Sequence, residues 1–121
     1  MGETYNFETA EPSKSCRLLA RTIDGQKAKA EVVAGIVTGT FFAIVQGKKP
    51  YLNMQVRLSP LTYVRQPEYW GIEVIGCVSG IVLPTIGSYY EHLSLEGIRG
   101  TKGVEIIWAN GETERFAVPP K

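Results

Sequence analysis

Between residues 51 and 83 the apolar side chains recur at every second position, a pattern that few folds other than a sheet accept. Leu52, Met54, Val56 and Leu58 share one parity, and Asn53, Gln55, Arg57 and Ser59 share the other. An extended chain therefore turns one face inward and one to water. From Trp70 onward both parities are apolar, with Trp70, Ile72, Val74 and Val78 on one side and Ile75, Cys77, Ile81 and Leu83 on the other. A strand of that kind needs cover on both faces. The polar, proline-containing stretch Arg65-Gln66-Pro67-Glu68 reads as the turn that folds the two runs into an antiparallel pair.

The rest of the chain is punctuated in the same way. Asp24-Gly25 and Asn110-Gly111 are dipeptides that accept the positive φ of a tight hairpin turn. They predict that residues 17–23 pair with 26–33, and residues 104–109 with 112–118. The run 32–45 is rich in β-branched and aromatic residues and is broken by Gly35 and Gly39, which mark bends. Residues 88–97 carry two conflicting signals. Ser88 and Glu91 have capping-box spacing, but Tyr90, His92 and Ser94 alternate with Leu93 and Leu95, which favours a strand or irregular loop. Pro119-Pro120 ends any pairing.

These signals predict an all-β, single-domain protein of about seven to eight mostly antiparallel strands with at most one short helix. Its architecture is a β-sandwich or a small barrel, closed or half-open, and the glycine-bent strands favour the barrel. Residues 1–15 read as an N-terminal arm in which Tyr5 and Phe7 are the docking groups, and residues 16–121 as the domain.

Composition narrows the function classes. The 121 residues include 13 basic and 12 acidic side chains, a net charge of +1, which disfavours a nucleic-acid partner. The longest apolar run, 32–45, falls short of the ~20 residues of a membrane span, so no membrane insertion is expected. The polar N-terminus lacks a secretory h-region, which points to a cytoplasmic protein, with a mature secreted form as the alternative. Cys16 and Cys77 permit one disulfide, but a chain of this length needs no staple, and free thiols are the expectation, Cys77 acting as a small core hydrophobe. Two cysteines and one histidine do not complete a metal site, and no cofactor-binding motif occurs.

The sole histidine, His92, could act as a general base with Tyr90 or Glu91, as in a small β-barrel isomerase or hydrolase. On a strand, however, Glu91 faces away from His92. Aromatics carry the stronger expectation. Trp70, Tyr63, Tyr69, Tyr90 and Trp108 fall near strand ends, and Arg57 and Arg115 could hold a carboxylate. Packing of Trp70 and Trp108 in the core, with the tyrosines plugging the barrel ends, is the first expectation, since burying such rings is strongly favourable. Rings gathered at one mouth of a barrel would instead line a small-molecule cleft, and on a sheet face they would anchor a protein partner. The sequence thus points to a non-catalytic binding module, holding a small apolar or aromatic-compatible ligand or a protein partner, with homo-oligomerisation through the edge of the central pair as a further possibility.

Overall fold

The computed structural model describes residues 14–120, and among them the backbone forms ten strands, one 3-10 turn and no α-helix. The strands are β1 (Ser15–Leu18), β2 (Thr22–Ile23), β3 (Gln26–Lys27), β4 (Lys29–Ala34), β5 (Phe41–Lys49), β6 (Gln55–Pro60), β7 (Tyr69–Val78), β8 (Gly87–Ser94), β9 (Gly103–Ile107) and β10 (Thr113–Ala117). They form three sheets, none of them closed. In the five-stranded sheet β7 is central. β6 lies antiparallel along one edge of it, while β9 (parallel) and β1 (antiparallel) share the other edge in succession, and β10 pairs with β9. A three-stranded antiparallel sheet has the order β4-β5-β8, and β2 and β3 form a small hairpin. The arm expected over residues 1–15 lies, apart from Lys14 and Ser15, outside the described residues.

The all-β expectation stands, and so does the central antiparallel pair, with Gln55 opposite Cys77 and Pro60 opposite Ile72. The pair is shorter than the 51–83 pattern implied: β6 begins at Gln55 and β7 ends at Val78, which leaves Leu52, Ile81 and Leu83 exposed in the flanking connections. Residues 88–94 are strand, as their alternation implies. A closed barrel is not formed. β6 runs beside β8 and β4 beside β10, yet no ladder crosses either seam among the described residues. The strands number ten, more than the seven or eight expected, because the first segment divides. Asp24 and Gly25 do turn at positive φ (54° and 73°), but the hairpin they close joins only two residues on each side. β1 leaves it to pair with β7, and β4 pairs with β5 across the 35–40 bend instead. The Asn110-Gly111 hairpin is as expected, with both residues at positive φ and Thr113 opposite Ile107.

Cys16 sits directly opposite Cys77 in the β1–β7 ladder, and the two are joined as a disulfide. This corrects the expectation of free thiols. A strand pairing that spacing alone does not reveal brings the two sulfurs together. Disulfides persist in oxidising compartments, which argues against the cytoplasmic expectation. No helix among the described residues is long and apolar enough to cross a membrane.

The core lies between the two larger sheets. Ala43, Val45 and Tyr89 point into it from one sheet, and Val56, Leu58, Ile72, Val74, Val104 and Ile106 from the other. Trp108, Leu95 and Val118 complete it, and the space between the sheets is filled by these side chains. Gly47 and Gly76 lie on the inward faces, where an added Cβ would meet Ala28 and the Met54 thioether respectively.

Candidate functional site

Because Ala43, Val45 and Tyr89 turn inward, the alternate residues of the β4-β5-β8 sheet are committed to its outer face. The ladders set Val33 opposite Phe42, Ile44 opposite His92, and Gln46 opposite Tyr90. Val33, Phe42 and Ile44 are half-buried there, and Tyr90 is 58% exposed. The Phe42 and His92 rings lie 6.4 Å apart at a 54° tilt. Lys29, Glu31, Gln46 and Ser94 rim this apolar strip. Phe42, Ile44 and Val33 were not among the residues expected from the sequence. The signal was present in the run Phe41-Phe42-Ala43-Ile44-Val45, which is apolar on both parities although only one of its faces enters the core.

Tyr90 also borders a groove of about 470 Å³ along the β6/β8 seam, with Lys49, Gln55, Arg57, Ser88 and Glu91 among its lining residues. Two of the expected residues, Arg57 and Tyr90, thus line one groove. Lys49 Nζ donates to Met54 O at 2.7 Å, and Lys48 Nζ donates to Ser88 Oγ at 3.0 Å.

The other expected residues fall elsewhere. Tyr63 packs edge-on against Trp70, centroids 5.1 Å apart. Their polar atoms are used internally: the Trp70 indole donates to Leu61 O (2.8 Å), and the Tyr63 hydroxyl accepts from Gly71 N (3.1 Å). The pair therefore pins the β6–β7 connection onto β7, and a groove of about 380 Å³ beside it is rimmed by Arg65, Glu96 and Arg99. Tyr69 lies under the Arg115 guanidinium at 4.6 Å, and Arg115 reaches Glu105 at 3.3 Å. Arg57 and Arg115 do share the outer face of the five-stranded sheet, but on strands at its opposite sides.

Trp108 is fully buried, so it is a core residue and not a wall of a ligand cleft. The Arg21 guanidinium covers its ring at 4.2 Å, and Arg21 also bonds Ala28 O (3.1 Å) and Glu114 (2.5 Å). Beside this stack the Tyr89 hydroxyl and the Trp108 indole N–H lie close together, and neither makes a well-formed hydrogen bond among the described residues. Burial raises the Tyr89 pKa, against a smaller opposing pull from the Trp108 N–H and the Arg21 charge, so the phenol stays neutral at physiological pH.

His92 is exposed on the outer face with Tyr90 on the same side, whereas Glu91 points to the opposite face. A His92–Glu91 proton relay is therefore not formed in this arrangement. Among the described residues no group of three or more His, Cys, Asp or Glu side chains could hold a metal. The chain matches no family model, no curated protein and no solved structure in comparisons of sequence and fold.

Proposed function

We propose that this protein is a non-catalytic binding module that receives a protein partner on the outer face of the β4-β5-β8 sheet. The observation that carries this reading is the apolar strip Val33-Phe42-Ile44, flanked by the exposed Tyr90 and by His92, on the side of the sheet turned away from the core. An apolar centre with a tyrosine anchor and a polar rim is the composition of a protein interface. The space between the sheets is occupied by Trp108, Ile72, Leu95 and their neighbours. This filling favours an external surface over a ligand held inside.

A photo-cross-linking amino acid placed at position 90 tests the idea. It should yield one defined adduct in an extract of the source cells, competed by excess wild-type protein. Competition should fail with Ile44→Asp or Tyr90→Ala protein that keeps the wild-type β spectrum. Competition by those variants at wild-type strength would rule the face out.

A further inference from the structure

At one end of the molecule five large apolar side chains are exposed together: Leu52 in the β5–β6 connection, and Ile81, Val82, Leu83 and Ile86 in the β7–β8 connection. The two connections are stitched to each other. Leu52 N donates to Leu83 O (3.0 Å), Asn53 Nδ2 to Ile81 O (2.8 Å), and Leu83 N to Asn53 Oδ1 (3.0 Å). The tip is thus preformed, and Ile81 at its crest is 85% exposed. Lys48 and Lys49 end β5 beside it, and among the described residues their ammonium groups bond neutral acceptors, Ser88 Oγ and Met54 O. The sequence has no Asp or Glu between Glu31 and Glu68, nor between Glu73 and Glu91, so neither connection contributes a carboxylate.

We infer that this tip docks the protein on an anionic lipid surface, with Leu52, Ile81, Leu83 and Ile86 in the headgroup–acyl boundary and the lysines at the level of the phosphates, and with no segment crossing the bilayer. Adsorption of this kind grows with buried apolar area plus attraction to anionic lipid. Protein interfaces favour Tyr, Trp and Arg and are depleted in lysine, whereas this tip is aliphatic and flanked by lysines. Lysine stems lie well along an apolar insertion while their heads stay in water. The tip lies at the β5–β6 end of the molecule, apart from the Val33-Phe42-Ile44 strip, so this inference and the partner-binding reading can fail independently.

Flotation with phosphatidylcholine vesicles, with and without phosphatidylglycerol, is the test. The wild-type protein should float with the anionic vesicles at low salt, and lose most of that binding at high salt or on phosphatidylcholine alone. Ile81→Ser combined with Leu83→Ser should weaken binding by more than about ten-fold. Lys48→Gln should weaken it by about five-fold. Ile36→Ser, at the opposite end, should leave it unchanged. All are surface positions, and an unchanged β spectrum and thermal midpoint verify folding. The inference is overturned by no flotation with anionic vesicles, by equal binding to neutral ones, or by full binding of the double variant. It is equally overturned if vesicles are ignored and the double substitution instead abolishes self-association, since the tip would then belong to a second copy of the chain.

Discussion

The most informative single residue is Tyr89. It lies on the inward face of β8, with Gly47 against its hydroxyl and Trp108 and Arg21 beside it. Its raised pKa has a consequence for stability. An unfolded tyrosine titrates near 10. Between that pH and the higher folded value the unfolded chain loses its proton first, so stability is complete below about 10 and falls as pH rises beyond it. Tyr89→Phe should flatten that alkaline fall in urea midpoints. At neutral pH it should change stability by no more than about 1 kcal/mol, because the hydroxyl has no well-formed hydrogen bond among the described residues to lose. An alkaline fall as steep in the Phe variant as in the wild type would assign it to another group. The same residue shows a limit of sequence reading. Parity puts Tyr89 and Tyr90 on opposite faces, but it does not say which face is interior.

Among the elements, β1 depends most on a distant partner. It has four residues, three of them exposed, and it is held to β7 by its ladder and by the Cys16–Cys77 bond, which spans 61 residues of sequence. Closing a loop of that size is worth about 4 kcal/mol by the chain-entropy account. Reduction should lower the unfolding free energy by about that amount and should release β1 before the rest. Hydrogen exchange read at residues 15–18 should then accelerate ahead of β5, β7 and β9. Uniform acceleration across all strands would mean that β1 is no separate unit. The hairpins show why some elements were legible and others were not. Asn110-Gly111 determines its own turn through local backbone sterics, and the strands beside it follow. Asp24-Gly25 has the same chemistry, but its flanking residues bury more apolar surface elsewhere. Leu19 is drawn into the core, where its N–H meets Val74 O and its C=O meets Ala109 N, so the hairpin stays minimal.

The whole molecule is held by one layer of side chains between two sheets that meet at open seams. Ile72 is fully buried there, on the central strand of the larger sheet. Ile72→Ala should cost about 3–4 kcal/mol, a transfer loss plus a residual cavity. Because the layer is shared, amides of β5 and of β7 should lose protection together. Loss confined to β7 would show that the sheets open independently. Arg21 spans one seam. It stacks on Trp108 while bonding Ala28 O and Glu114, and so ties the small hairpin to β10 without a ladder.

What the amino-acid order determined by itself is local: an all-β backbone, the inward turn of Met54, Val56 and Leu58 (though not of Leu52, which shares their parity and is exposed), the bend between Gly35 and Gly39, and the turn at Asn110-Gly111. Each follows from side-chain period or from φ preference within a few residues. Tertiary structure alone decided that β9 runs parallel to β7, that Cys16 meets Cys77, that the sheets stay unclosed, and that the aromatics disperse instead of lining one cavity. These features depend on which distant apolar faces cover one another. That is a competition in buried area among segments far apart in the chain, and alternation along a strand carries no record of its outcome.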